Sequence, residues 1–149
     1  MKKSSFVIIA VIVALAAVGG IVYWLSLPQP VDEASLRVYA DPMTENLLLG
    51  IENGNYTAFS RDFDDAMRNA LNLTNFQQLI SNLDSKVGHY VSDSKTFIKG
   101  EQTGNYIIAY YMADYTNEPA GVTVRVVFTS DNGPEKISGL WFSSPKLAS

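Results

Sequence analysis

The sequence predicts an α+β domain in which three amphipathic helices cover one face of an antiparallel sheet of about four strands. Two observations carry this fold class. Apolar residues recur at helical spacing between residues 41 and 87, and runs of strand-favouring residues follow between residues 89 and 143. A third observation, the apolar run Phe6–Leu25, predicts one transmembrane helix ahead of the domain.

The apolar run is read as an uncleaved signal-anchor. About 20 helical residues span roughly 30 Å, the thickness of a bilayer core, and Lys2 and Lys3 precede the run. A cleaved signal peptide has a shorter apolar region of about 7–15 residues followed by a small-residue site. Here the match Ala14-Leu15-Ala16 falls inside the run, so an anchor is favoured, with cleavage near Ser26 as the alternative.

The two lysines also set the expected topology. By the positive-inside rule residues 1–5 are cytoplasmic, residues 6–25 cross the cell membrane once, and the C-terminal domain lies outside the cytoplasm. Residues 26–38, with Pro28 and Pro30, are typical of a short stiff linker. Residues 39–147 then form one extracytoplasmic domain, since 149 residues leave no span for a second core.

Composition excludes several classes of function. The chain has no cysteine, which excludes disulfides, lipoprotein anchoring, thiolate metal sites and a cysteine nucleophile. Its formal net charge is −4, and two of its basic residues precede the anchor, so the exported part is more acidic still. That sign disfavours nucleic-acid binding.

Each predicted helix has a start signal and an apolar stripe. Asp41-Pro42 begins the first helix, which ends at Gly54. The second begins at Ser60, and the third begins at Thr74 and ends before Gly88. The acids near the second start, Asp62, Asp64 and Asp65, suit the positive end of a helix dipole. The buried stripes are Met43, Leu47, Leu48 and Ile51, then Phe59, Phe63, Met67 and Leu71, then Phe76, Leu79, Ile80, Leu83 and Val87.

The predicted sheet is organised around a hairpin. An irregular first strand covers His89–Ile98, and Tyr106–Tyr115 and Val122–Phe128 form the hairpin on either side of the loop Thr116–Gly121. A turn at Asp131–Pro134 leads to the last strand, Lys136–Ser143.

The hairpin register predicts one apolar face. If Tyr115 opposes Val122, the pairs Ala113–Val124, Tyr111–Val126 and Ala109–Phe128 follow on the same face. The opposite, outer face then carries Asp114 beside Thr123, Met112 beside Arg125 and Tyr110 beside Val127, with Leu140 or Phe142 as further members. This apolar patch around Arg125 suggests a homodimer through the outer sheet face; the competing account is that a loop or the tail Ser144–Ser149 covers it.

Four stretches carry a family resemblance: Ala40–Asn46, Phe59–Asp64, Val122–Phe128 and Ser138–Phe142. Together they resemble a domain of unknown function found in exported archaeal and bacterial proteins, which is similar to the cone-shaped superfamily typified by nuclear transport factor two. The resemblance implies a curved sheet wrapped by three helices, with a cavity between them. Enzymes of that superfamily place an acid–base pair inside the cone, but no stretch here matches those motifs, so no catalytic residue is assigned.

The candidate ligand pocket is aromatic. Tyr111, Tyr115 and Trp141 are expected on the inner sheet face opposite Phe63 and Met67, where an apolar ligand could bind, although aromatic residues at core spacing are more often only core. The second candidate sites are the sequons at Asn55 and Asn72, both expected in loops between helices.

Other candidate chemistry is sparse. His89 is the only histidine, and a catalytic role would require Asp62 or Asp93 to orient it. The acids at residues 62–65 lack the glycine turn and distal glutamate of a calcium loop, so no metal or cofactor is expected. The sequence therefore favours a non-enzymatic, membrane-anchored extracytoplasmic module that binds a small apolar ligand or a partner protein. The alternative is a small cone-type hydrolase or isomerase with an Asp, His or Tyr acid–base in its cavity.

Overall fold

The computed structural model describes residues 28–130 and 133–149. Within these ranges the protein is an α+β domain of four helices followed by four antiparallel strands. The predicted anchor, residues 6–25, lies outside the described residues, and none of the helices within them has the length and apolar character to cross a membrane. The helices are α1 Glu33–Glu52, α2 Tyr56–Phe59, α3 Asp65–Ala70 and α4 Leu73–Lys86. The strands are β1 Thr96–Thr103, β2 Tyr106–Tyr115, β3 Glu118–Thr129 and β4 Lys136–Ser143.

Helix α1 begins two turns before the predicted start at Asp41. Its buried stripe extends backward through Ala40 to Leu36, so burial favours helix well before Pro42. Arg37 and Asp41 also form an i,i+4 ion pair at 3.0 Å. Pro42 therefore lies inside the helix on an exposed position, and the second half of the predicted linker is helical.

The predicted second helix is wrong as one element and is replaced by α2 and α3. Ser60 ends α2, and Asp64 caps α3 by accepting a hydrogen bond from Met67 N at 2.8 Å. The expected stripe is nevertheless fully buried, because α3 packs against β4 and α2 packs against α1. Gly50 makes this possible: a Cβ there would lie 2.8 Å from the backbone of Phe59.

Helix α4 confirms the third prediction to within one residue. Asn72 caps it by accepting from Asn75 N at 3.0 Å, and Lys86 lies in its last turn, where a cation is favourable. Its stripe is buried at Phe76, Leu79 and Leu83, with Ile80 partly buried.

The sheet is a meander in which β1, β2, β3 and β4 are neighbours in chain order. The first strand is not His89–Ile98 but Thr96–Thr103, and Lys99 and Gly100 continue it instead of ending it. Tyr90 still forms an isolated bridge to Tyr115, but Asp93 then adopts a left-handed conformation (φ 61°) and interrupts the strand. The last strand has the predicted bounds.

The hairpin register differs from the prediction by two residues. The loop is the two-residue turn Thr116-Asn117, because β3 starts at Glu118, which pairs with Tyr115. Tyr111 consequently opposes Val124 instead of Val126, and Tyr110 instead of Met112 lies opposite Arg125. A shift of two leaves every side chain on its predicted face, so the apolar inner face survives. The register shifts because Glu118 can join β3. Its buried carboxylate accepts hydrogen bonds from Ala120 N and Lys146 N, which stabilise the charge within the strand.

Candidate functional site

Four of the five candidate pocket residues lie in the hydrophobic core. Phe63, Met67, Tyr111 and Tyr115 are each at most 6% exposed and belong to the cluster that joins the helices to the inner sheet face. Phe63 packs edge-to-face on Phe59 with ring centroids 4.9 Å apart. These side chains hold α2 and α3 against the sheet.

The fifth candidate, Trp141, lies on the outer sheet face, contrary to the prediction. It pairs with Arg125 across β3 and β4, whereas its neighbours Leu140 and Phe142 point into the core and are each 1% exposed. Both neighbours are therefore excluded from the outer patch. Because side chains alternate along β4, either Trp141 or the pair Leu140 and Phe142 can face inward. In this structure Leu140 and Phe142 fill the core.

A polar seam joins α1 to the β1–β2 side of the sheet. The Tyr111 hydroxyl donates to Asp41 Oδ1 at 2.6 Å, and Arg37 Nε donates to the other oxygen of that carboxylate at 3.0 Å. Burial, together with the bond to Asp41, raises the pKa of Tyr111 far above its ordinary value. The tyrosine therefore stays a protonated donor that ties the sheet to the helix.

Glu45 is the centre of the same seam. Its carboxylate accepts from the Tyr90 hydroxyl at 2.8 Å, from Lys95 Nζ at 3.1 Å and from Asp93 N at 3.1 Å. Burial opposes ionisation, but these donors outweigh it and hold the pKa of Glu45 below its usual value. The left-handed turn at Asp93 is thus held by the carboxylate that its own amide contacts.

His89 lies at the far end of the seam. Its Nδ1 is 2.8 Å from Glu52 Oε2 and 3.6 Å from Asp84 Oδ1, and its side chain is 59% exposed. The other Glu52 oxygen accepts from Tyr90 N at 3.0 Å. Neither of the expected partners, Asp62 or Asp93, orients this histidine, because Asp62 pairs with Arg61 and Asp93 donates its amide to Glu45.

The sequence reasoning missed the acids of α1. Asp41, Glu45 and Glu52 contact, in turn, Tyr111, Tyr90 and His89. Their spacing of four and seven residues places them on one helix face, and this signal was present in the sequence. This row is not recognised from the sequence because the predicted helix begins at Asp41, the first of these acids.

The outer sheet face carries an array of stacked cations and aromatic rings. The Arg125 guanidinium lies 4.4 Å from the Trp141 ring and 5.9 Å from the Tyr110 ring, and Lys99 Nζ lies 4.9 Å from the Tyr110 ring on the other side. The Tyr110 hydroxyl donates to Glu101 Oε2 at 2.9 Å. Burial lowers the pKa of Arg125, which still remains a cation at neutral pH.

Below this array the face is already packed. Val127 and Ile108 are 0% exposed, so Val127 is not part of an exposed patch around Arg125, contrary to the prediction. The Trp141 ring accounts for part of this: a Cβ on Gly139 would lie 2.8 Å from the ring and 3.3 Å from Val127 Cβ. The partly exposed members of the outer face include Tyr110, Met112, Thr123, Arg125 and Trp141.

The surface has shallow clefts. One of about 340 Å³ lies between α3 and the start of β4, lined by Phe63, Asp64, Arg68, Thr129 and Lys136 among others. A second of about 280 Å³ lies beside Met112 on the outer face, next to Ser144 and Pro145 of the tail. The tail thus borders the outer face beside Met112.

The other candidate residues have local structural roles. Asn55 and Asn72 lie in exposed loops between helices, as predicted, and both accept helix-capping hydrogen bonds, from Ala58 N and Asn75 N. Among the described residues no group of three or more histidines and acids is arranged to hold a metal ion. Whether the two sequons carry glycans stays a prediction.

The chain belongs to the family described as protein of unknown function (DUF3887), whose model matches residues 45–140, well over half of the chain. The matched region starts at Glu45 and ends within β4, so it covers most of the seam and the hairpin. A search among curated proteins found no match, and a search among solved structures found none either.

Proposed function

We propose that this protein is a non-enzymatic, membrane-anchored extracytoplasmic module that associates with a second copy of itself through the outer sheet face. The observation that carries the proposal is the half-exposed array of Tyr110, Arg125 and Trp141. Tyrosine, tryptophan and arginine are the residues that most often dominate binding at protein interfaces. A weakly hydrated guanidinium between two rings is also cheap to desolvate.

The packing of the inner sheet face favours a partner protein, and not a small ligand, as the molecule that this domain binds. The four aromatic and apolar residues once considered for a pocket are all buried in the hydrophobic core, where they pack against other core side chains: Phe63, Met67, Tyr111 and Tyr115. A ligand there would have to displace these contacts, which cost several kcal/mol each to lose. The rings and the guanidinium of the outer-face array, by contrast, lie at the surface and are partly exposed.

A second copy is the favoured partner because of the anchor. Copies held by residues 6–25 share one membrane and one orientation, which raises their effective concentration and aligns their outer faces. The register of the sheet shifts at Phe97/Lys99, Ala113/Tyr115 and Val127/Phe128, and such bulges bend a sheet. A bent sheet supports the proposal that this is a cone-like, nuclear-transport-factor-two-like domain of an exported protein.

The test is the mass of the full chain in an uncharged detergent, measured by sedimentation. We expect a dimer for the wild-type protein and a monomer for Met112→Glu, because a carboxylate buried at an interface without a partner costs several kcal/mol. The matched control is Leu73→Glu, which places the same charge at an exposed apolar position on α4 and should leave the dimer intact. A wild-type chain that is monomeric at high micromolar concentration rejects the proposal.

The second candidate function is a small cone-type hydrolase or isomerase. It is favoured by two close acid pairings, Tyr111 with Asp41 and His89 with Glu52. Against it, the Tyr111 side chain is 1% exposed and its raised pKa prevents it from acting as a base, while His89 lies on an open surface. Turnover of an ester or an enolisable ketone that is lost in Asp41→Asn, with the dimer unchanged, would establish this alternative.

A further inference from the structure

The described chain starts on the sheet itself. Gln29 forms an antiparallel bridge with Gln102 at the end of β1, with Gln29 N donating to Gln102 O at 2.7 Å and Gln102 N donating to Gln29 O at 2.8 Å. Two backbone bonds hold this residue at one defined point of the domain. The polypeptide therefore enters the domain beside the turn between β1 and β2.

Little chain separates this point from the proposed anchor. The apolar run ends at Leu25, four residues before Gln29. Because an extended residue spans at most about 3.6 Å, the bridge lies within about 14 Å of the end of the anchor. A tether this short keeps the end of the domain that carries the bridge close to the proposed anchor.

The two ends of the sheet are well separated. In the meander the β1–β2 turn at Gly104-Asn105, the end of β3 and the start of β4 lie at the end where Gln29 binds. The β2–β3 turn at Thr116-Asn117 lies at the opposite end, and the C-terminal end of α4 joins it there, since Asn117 N donates to Val87 O at 2.9 Å. Strand β2 has 10 residues, which corresponds to about 33 Å between the ends.

Charge does not provide an alternative cause of orientation. The end that carries Gln29 holds three acids, Asp32, Glu33 and Glu135, which outnumber Lys136 at the start of β4, so anionic lipid would not attract it. It also holds a cleft of about 370 Å³ whose lining is mixed: Val31, Leu36, Tyr39 and Ile107 lie beside the polar residues Asp32, Ser35, Gln102 and Glu135. Tyrosine beside apolar side chains suits the headgroup region of a bilayer.

We propose that the domain stands end-on at the bilayer, with the β1–β2 turn against the lipid headgroups and the His89 end directed away. The inference rests on the proposed anchor, and it adds the surface of the domain that meets lipid. The short tether, held by the Gln29–Gln102 bridge, sets this orientation.

The absence of cysteine allows a direct test. Asn105→Cys in the β1–β2 turn and Ser85→Cys near the end of α4, both exposed positions, are each labelled with a fluorophore in the full chain. The chains are reconstituted in uncharged phosphatidylcholine vesicles that contain a nitroxide on the lipid headgroup. We expect quenching at residue 105 to exceed quenching at residue 85 several-fold, and to persist between about 0.05 and 0.5 M salt, which screens charge.

Three outcomes overturn the inference in distinguishable ways. Equal quenching at both sites, or stronger quenching at residue 85, in vesicles that carry the protein rejects the end-on orientation while leaving the anchor in place. Loss of the contrast at high salt shows that charge, and not the tether, orients the domain. Failure of the chain to float with vesicles rejects the anchor and the orientation together.

Discussion

Removal of the Phe63 ring is the sharpest test of how α2 and α3 are held on the sheet. The residue is 1% exposed, packs edge-to-face on Phe59 at 4.9 Å, and its backbone forms an isolated bridge to Ile137 in β4. Phenylalanine-to-alanine changes in a core cost about 3–5 kcal/mol, of which an aromatic pair contributes about 0.5–1.5 kcal/mol. Phe63 also lines the cleft of about 340 Å³, so water can enter the vacated space. We therefore expect a loss of about 3 kcal/mol for Phe63→Ala.

The assay is urea unfolding of the full chain in an uncharged detergent, followed by Trp141 fluorescence in a Trp24→Phe background. A loss of about 3 kcal/mol moves the midpoint by about 2 M urea if the slope is about 1.5 kcal/mol/M. Phe63→Leu keeps most of the buried volume and should cost about 1 kcal/mol. A loss below about 1 kcal/mol for Phe63→Ala would mean that the contacts of this ring do not hold α2 and α3 on the sheet.

Two further predictions concern the polar seam. Glu45→Gln should cost about 2 kcal/mol at pH 7, because three donors lose a charged acceptor. Since the folded pKa of Glu45 is lowered, its stabilisation is complete above the ordinary carboxyl pKa of 4.5 and is lost as pH falls through the folded value. Between about pH 5 and pH 3 the Glu45→Gln variant should therefore lose less unfolding free energy than the wild-type protein. The control is Asp65→Asn, at an exposed acid, which should keep the wild-type pH profile. Parallel pH profiles for Glu45→Gln and wild type would contradict the stabilising role of the Glu45 carboxylate. Tyr111→Phe and Tyr115→Phe should change the free energy of unfolding in opposite directions. Tyr111→Phe loses a hydrogen bond to a carboxylate and should lower it by about 1.5 kcal/mol. Tyr115→Phe removes a buried hydroxyl that has no partner in the described structure and should raise it by about 1 kcal/mol. Two losses of equal size in urea unfolding would show that the Tyr115 hydroxyl is satisfied.

The sequence predicted the parts of the fold that depend on periodicity. The two hairpin faces were correct although the register was shifted by two, because alternation alone decides which side chains are buried. The shift itself depended on Glu118, a charged residue in a strand, whose burial is stabilised by the amide of Lys146, 28 residues further along the chain. No local pattern indicates that contact.

The site was less predictable, because it depends on which elements meet. Trp141 was assigned to the inner face, although Leu140 and Phe142 were equally apolar and periodicity could not decide between the two sets. The seam was missed for a different reason: Asp41 was read as a helix start, and a residue at a helix start has no reason to reach the sheet. Only the extension of α1 to Glu33 turns Asp41, Glu45 and Glu52 into one aligned row.

The direction of the strands would link the proposed membrane attachment to the proposed self-association. If the β1–β2 turn rests on lipid, the strands run away from the bilayer and the outer sheet face stands upright, facing sideways. Tyr110, Arg125 and Trp141 then lie on a wall of the domain that another anchored copy meets by diffusion in the membrane plane. A two-fold axis along the membrane normal would pair two such walls while keeping both β1–β2 turns on the lipid, so Met112→Glu should separate the copies without changing the quenching at residue 105.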